Sequence, residues 1–365
     1  PFFPPKSISN IQQNIKKILN SGQLTLGANV LSFESKFAKF QKSKFACGVS
    51  SATAGLHLSL LALDIKKGDQ VIIPAKTFIS TANAALYCNA TPIFCDVDDT
   101  TFQMDPLKLK KLINKNTKAI IPVQFCGNVC PMDEILEISN KENISIVEDA
   151  AHALGSSING KKIGSLSDMT LLSFYAIKPI TTSEGGAILT DNKEYATKLR
   201  LFRSHGIVKK ELWNSDMISM GYNYRLPEVA AALGISQLKK LDKFINIRNE
   251  IAAYYDKRFK DQNSFLTFEV KQTHRSARHL YPIILNSKLR SKKEAIFQEL
   301  QKRELGVQVH YKPIYQNSFY IEKFGKTFLP VAEEFYKGEI SIPCHHNMTL
   351  NDAVYVADTL LEVLV

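Results

Sequence analysis

The sequence predicts an α/β fold built on a parallel sheet with helices on both faces. Three observations point there. Short apolar runs recur through the first half of the chain, segments of helical periodicity separate them, and small or polar residues stand where the runs end.

The elements can be justified in order. Residues 8–20 place Ile8, Ile11, Ile15 and Ile18 on one helical face, and residues 30–42 repeat the pattern. Phe45–Val49 is a short strand, after which the small residues Ser50–Gly55 open the helix Leu56–Leu63. Gly68-Asp69 turns the chain into strand Gln70–Ile73, Pro74 ends it, and a helix covers about Ile79–Tyr87. Strand Pro92–Cys95, helix Pro106–Ile113, strand Ala119–Val123, helix Met132–Ser139 and strand Ile144–Val147 complete the alternation. The apolar run Leu171–Phe174 is a further strand that breaks before Pro179, and Gly185-Gly186 opens the run Ala187–Leu189. Helices follow at about Lys193–Phe202, Leu226–Leu241, with Pro227 in the first turn, and Lys243–Phe259. The remainder reads as a smaller α+β unit: strand Leu280–Leu285, helix Lys293–Arg303, strand Val307–His310 and helix Asp352–Leu364. The expected division is a large domain at 1–245 and a small one at 246–365.

Composition sets the outer limits. The 365 residues are 45% hydrophobic and 22% charged, ordinary for a globular protein, and no apolar run nears the roughly 20 residues of a membrane span. The opening Pro1-Phe2-Phe3-Pro4-Pro5 lacks the pattern of a secretory signal, so a cytoplasmic location is expected. The net charge of +11 suits an anionic small substrate or a lysine-rich solvated surface. The basic residues are dispersed, without helix-turn-helix or zinc-finger spacing, so neither nucleic acid nor membrane is an expected partner. The six cysteines form no CxxC pair, and His345-His346 would point apart on a strand, so no metal site is expected. No GxGxxG follows a strand, and no Walker A pattern is present.

In parallel α/β sheets, ligands gather at the carboxyl ends of the strands. Four stretches stand at such ends: Ser51–Thr53, Thr77-Phe78, Glu148-Asp149 and Lys178. Small hydroxyl-bearing residues at a helix start form an anion cradle or a plain N-cap. Asp149 is either a cap or a functional acid. Lys178 is either a loop lysine or an amine held on a turn for Schiff-base chemistry. Together they supply an anion cradle, an aromatic plate, a carboxylate and an amine, which is the set of parts a pyridoxal phosphate site requires.

The chain resembles the sugar aminotransferases of the DegT/DnrJ/EryC1/StrS family along nearly its whole length. The likeness is carried by Ser21–Gly27, Ser51–Ala54, Thr77-Phe78, Glu148–His152, Ala176–Gly186, Arg203–Gly206 and Gly221–Leu226. Several stretches, among them Leu201–Lys210, His279–Pro282, Val307–Tyr315 and Glu339–His345, resemble the members that act in pseudaminic acid synthesis on a UDP-linked 4-keto-6-deoxy-N-acetylhexosamine. The resemblance implies fold type I, the aspartate aminotransferase-like architecture, with a mostly parallel seven-stranded sheet and a smaller C-terminal α+β domain.

It also implies roles. Lys178, Asp149 and His152 would be catalytic. Lys178 would hold pyridoxal 5'-phosphate covalently, Asp149 would pair with its ring nitrogen, and His152, where many relatives have Gln, would stand near its phenolic oxygen. Ala52, Thr53 and Ser173 would bind the phosphate, Phe78 would stack on the ring, and Asn223 would reach the phosphate from the partner subunit of a homodimer with shared sites. Tyr175, Arg225, His310, Tyr311 and Lys312 would bind the nucleotide sugar. Ser50 replaces a common Asn and Tyr175 a common His. The implied reaction moves an amino group from L-glutamate to the C4 ketone of the sugar. The alternatives are another 4-keto sugar of the bacillosamine or perosamine type, a sugar dehydratase, which has His at the lysine position, and a nucleic-acid-binding regulator suggested by charge alone.

Overall fold

The computed structural model describes residues 11–364; residues 8–10 of the first expected helix and the opening Pro1–Pro5 lie outside that range. The chain runs through helices α1 (Ile11–Ser21) and α2 (Ala28–Gln41) into strand β1 (Phe45–Val49). Then α3 (Ala52–Ala62), β2 (Gln70–Pro74), α4 (Ser80–Tyr87), β3 (Thr91–Cys95), α5 (Pro106–Leu112), β4 (Thr117–Ile120), α6 (Met132–Glu142) and β5 (Ser145–Asp149) alternate. Strands β6 (Met169–Ser173) and β7 (Gly186–Thr190) precede helices α7 (Lys193–Arg203), α8 (Glu228–Leu238) and α9 (Leu241–Arg258).

Seven strands form one sheet in the order β1-β7-β6-β5-β4-β2-β3. The pairs β2–β3, β2–β4, β4–β5 and β5–β6 are parallel, while β7 runs antiparallel to both β1 and β6. No helix lies between β6 and β7, so the chain has no crossover with which to return in the parallel sense. Successive residues of each strand enter opposite cores. Ile72, Ile146, Leu172 and Leu189 face one cluster with Phe33 and Phe37 of α2. Val71, Ile73, Val147, Leu171 and Ile188 face another with Leu56, Leu58 and Leu60 of α3. Both faces are therefore covered, as continuous apolar strands require.

Phe174, just past β6, is fully buried with its ring centroid 5.3 Å from Phe33 and 5.2 Å from Phe37. Removing that ring would cost about 3–5 kcal/mol and loosen the segment that carries Lys178. Gly186 fixes the other side of the site. A Cβ there would stand 2.9 Å from the Leu172 carbonyl oxygen and 3.0 Å from Ala52 N, so only glycine lets the start of α3 lie this close to β7.

The C-terminal part contains β8 (Phe265–Thr267), β9 (Tyr281–Leu285), α10 (Lys293–Lys302), α11 (Ser318–Phe324), α12 (Pro330–Gly338), β10 (Glu339–Ile342) and α13 (Leu350–Val363). Strands β8, β9 and β10 form an antiparallel sheet with its own apolar cluster, including Ile283, Leu300, Ile340, Val356 and Leu360. Helix α9 belongs to both parts: Leu241, Phe244 and Ile245 enter the first cluster, whereas Ile251, Ala252 and Tyr255 enter the C-terminal one.

Two sequence expectations need correction. Val307–His310 is not a strand; it makes one isolated bridge, Gln308 to Ser341. The ladder stops because the His310 N–H donates to the Glu339 carboxylate, at 2.7 Å, instead of to a neighbouring carbonyl. His345-His346 lies after β10, in the turn before α13, and not on a strand. The hairpin Ile207–Lys209 with Ser215–Met217 was not anticipated.

Candidate active site

The carboxyl ends of β5 and β6, the start of α3 and the segment after Pro74 surround a cavity of about 390 Å³. Its wall includes Ala52, Thr53, Phe78, Asp149, His152, Ser173, Tyr175, Lys178, His310 and Tyr311. Helix α3 starts at Ala52, four residues earlier than the periodicity indicated, because Ser51 caps it: the Ala54 N–H donates to Ser51 Oγ at 3.1 Å. The N–H groups of Ala52 and Thr53 have no carbonyl one turn back, and they stand at the positive end of the helix dipole.

Lys178 sits on the turn after β6, its own N–H donating to the Tyr175 carbonyl at 3.0 Å. The amine is buried, and Nζ lies 3.4 Å from His279 Nε2. Burial pushes its pKa down to about 8, with Arg248 adding to the effect and Asp149 opposing it.

Asp149 is the last residue of β5. Thr81 Oγ1 donates to its Oδ2 at 2.7 Å, and the Ala151 N–H donates to Oδ1 at 3.2 Å. Burial raises its pKa above the ordinary carboxylate value, while Thr81, Ala151 and Lys178 act against that rise. The neighbouring Glu148 points to the opposite face, where it accepts from Gln124, Ser167 and Thr170.

His152 accepts from the Cys126 N–H at Nδ1, 3.4 Å, and meets the Tyr311 hydroxyl at Nε2, 3.2 Å. Since Nδ1 is the acceptor, Nε2 carries the proton in the neutral ring and donates to Tyr311. Burial, reinforced by Lys178, His310 and Lys76, holds His152 well below the usual imidazole range, so the ring is neutral at pH 7.

Three residues expected at the site do not line this cavity: Asn223, Arg225 and Lys312. Asn223 is exposed and bridges Ser204, Arg225 is half-buried and bridges Val49, and Lys312 is exposed. Among the polar groups around the site that received no role from the sequence are Thr81, Arg248 and His279. Arg248 carried a readable signal, since Phe244, Arg248, Ile251 and Tyr255 fall on one face of α9, and a charge on an apolar stripe demands a buried partner. Thr81 and His279 had no such signal.

The residues present fit pyridoxal phosphate. A desolvated carboxylate whose hydrogen-bond partners among the described residues are the neutral Thr81 hydroxyl and Ala151 N–H suits a protonated ring nitrogen, the capped helix start suits a phosphate, and the depressed amine suits a Schiff base.

The chain is similar to known proteins along nearly its whole length. The model of the DegT/DnrJ/EryC1/StrS aminotransferase family matches residues 5–361. The UDP-4-amino-4,6-dideoxy-N-acetyl-beta-L-altrosamine transaminase of Campylobacter jejuni is 47% identical over 365 residues, covering 98% of this chain and 96% of its own. Among solved structures, Helicobacter pylori PseC, an aminotransferase of pseudaminic acid biosynthesis, superposes with a TM-score of 0.95 at 38% identity, covering 100% of this chain and 98% of its own. Spr1654 of Streptococcus pneumoniae, solved in its PMP form, also reaches a TM-score of 0.95, at 29% identity over 100% of this chain and 98% of its own. The chain belongs to the DegT/DnrJ/EryC1/StrS aminotransferase family and is a pyridoxal phosphate-dependent enzyme of fold type I.

Proposed function

We propose that this enzyme takes an amino group from L-glutamate and delivers it to the C4 ketone of a UDP-linked 4-keto-6-deoxy-N-acetylhexosamine. The observation that carries the reading is the meeting of Lys178, Asp149 and the start of α3 on one cavity wall. The sugar is read from the Campylobacter and Helicobacter relatives.

In this reading Lys178 would bear the cofactor, and Ala52, Thr53 and Ser173 would take its phosphate. Phe78 would cover its ring. Bound pyridoxal phosphate supplies an electron sink for the pair left when a proton leaves the carbon bearing the amino group. The Asp149 carboxylate would hold a proton on the ring nitrogen of that group. Lys178, once free as an amine, would take up and return the proton of the substrate carbon. His152, whose Nε2–H donates to Tyr311 in the structure, would stand near the phenolic oxygen of that group. Tyr175, His310 and Tyr311 line the remaining wall and bind the sugar. Arg225 and Lys312 lie outside it, where they would meet the diphosphate.

The same reading makes the protein a cytoplasmic homodimer. Asn223, on the surface of the single chain, would complete the phosphate site of a second copy. Exposed Leu212 and Trp213 at the tip of the nearby hairpin support such a partner. Residues 1–245 and 246–365 are its two domains, with α9 crossing the boundary. The test is mass spectrometry of products from glutamate and a panel of UDP-, dTDP- and GDP-linked 4-ketosugars. Amination of the UDP-linked N-acetyl sugar is expected to be fastest; equal or faster turnover of a dTDP or GDP sugar would overturn the choice of acceptor.

A further inference from the structure

His279 stands between two cavities. It does not line the 390 Å³ cavity, which Lys178 lines. It lines a second one of about 40 Å³, together with Arg248, His310, Ser341, Cys344 and His345. The contact of Lys178 Nζ with His279 Nε2, at 3.4 Å, therefore crosses the wall between them. The His279 ring is only 5% exposed, and its Nδ1 has no hydrogen-bond partner among the described residues.

The backbone at His279 is fixed from beneath. Arg248, itself buried, donates to the carbonyls of Arg278, His279 and Cys344 at 3.3, 3.3 and 2.6 Å. The His279 N–H donates to the Cys126 carbonyl at 3.0 Å. The ring is thus held in place behind the lysine, and its protonation decides what it does to the amine.

Three forms are available, and they differ in what they do to Lys178. A doubly protonated ring would face the Lys178, His152, Arg248 and His310 side chains while desolvated, and all of these oppose it. A ring protonated at Nε2 would donate into the lone pair of the neutral amine, the pair the amine needs for attack. A ring protonated at Nδ1 leaves Nε2 bare, so it accepts an N–H from Lys178 and leaves that lone pair free. Its Nδ1–H is then the group that needs a partner. The small cavity exceeds the 10–15 Å³ or so that one water requires, and its wall carries Arg248, His310, Ser341 and His345 as polar groups.

We propose that His279 is a positioning residue for Lys178, working as the Nδ1–H tautomer, with its bare Nε2 accepting from the amine and its Nδ1–H bound to a water in the rear cavity. The proposal rests on Lys178 being the cofactor-bearing amine, but its test is run on the cofactor-stripped full chain. A failure of that assignment, seen as the cofactor mapping to another lysine, is thereby kept apart from a failure of the His279 role.

The test has two arms. In the first, cyanate labels the stripped chain across a pH series, and mass spectrometry of the Lys178 peptide gives the apparent pKa of that amine. Wild type is expected near 8. H279Q keeps an oxygen acceptor and is expected within about half a unit of wild type, whereas H279F, which cannot accept, is expected about one unit lower. An unchanged or raised pKa in folded H279F overturns the proposal, since loss of a donor would raise it and loss of mere packing would leave it alone. The second arm needs no folded H279F. Nitrogen-15 spectra of histidine-labelled wild type at pH 7.5, with the His279 signals identified by their absence in H279Q, are expected to show a pyrrole-type Nδ1 and a bare Nε2. An Nε2–H tautomer or an imidazolium overturns it.

Discussion

Two lysines are buried among the described residues, and only one of them is placed to react. Lys178 faces the cavity, with His279 Nε2 at 3.4 Å and Asp149 acting on it through space. Lys76 is 1% exposed and lines no part of that cavity. Its Nζ lies 3.4 Å from the ring centroid of Phe125 and 3.8 Å from that of Phe335, and it has no hydrogen-bond partner among the described residues. Burial lowers both amines, Lys178 to about 8 and Lys76 to about 7. Of the two, the lysine with the larger depression is the one sealed from substrate. A depressed amine pKa records desolvation; access and polar partners make it a nucleophile.

The largest effect that can break this comparison is at Lys178. Lys178→Ala should lower turnover by about four powers of ten or more, because covalent attachment and proton transfer are lost together. Steady-state kinetics check it, and activity within tenfold of wild type would end the assignment. Next is Asp149→Asn, expected to lose two to four powers of ten, on the order of magnitude of an electrostatic and acid–base contribution. Asp149→Glu keeps the charge and should lose less; equal losses in the two variants would mean that geometry, not charge, is what Asp149 supplies.

A smaller effect tests the second copy. Lys178→Ala and Asn223→Ala chains, each weak alone, should regain up to about a quarter of wild-type activity after subunit exchange. Half the dimers would be mixed, and each would carry one intact site. No recovery with exchange demonstrated would place both residues in the same chain's site.

The pH dependence sharpens the contrast further. With its pKa lowered from 10.5 to about 8, Lys178 is a cation below that value and a free amine above it. Capture of pyridoxal phosphate by the stripped enzyme, followed by absorbance, should rise about tenfold per pH unit below 8 and level off above it. A rise continuing toward 10 would mean an amine in water. The smallest effect is expected at Lys76. Lys76→Met replaces an unpaired buried amine by an apolar chain of similar length, so Tm should stay within a few degrees of wild type or rise, with activity within about threefold. A large fall in Tm would show that the aromatic cage stabilises a cation.

The comparison also marks what a sequence discloses. Lys178 and Asp149 were legible because apolar runs announce strands, and residues at or just past their carboxyl ends have few structural duties. The small residues of Ser51–Thr53 announced a helix start by their chemistry. Lys76 looked no different from a surface lysine, since its cage assembles from Phe125, Phe268 and Phe335, far along the chain. His279 is adjacent to Lys178 in space but 101 residues away in sequence, and no local period encodes that meeting. The antiparallel sense of β7 left no trace in its apolar run, though the missing helix before it was a usable sign. Val307–His310 misled because alternating valines favour a strand, while a carboxylate from β10 took the backbone donor that the ladder needed.

One measurement tests the central claim most directly. The holoenzyme is reduced with borohydride, digested, and the cofactor adduct located by mass spectrometry. The account predicts a single adduct on the peptide that contains Lys178, absent from the Lys178→Ala chain, and none on the peptide that contains Lys76. An adduct on Lys76 or on any other lysine, with Lys178 unmodified, would contradict it.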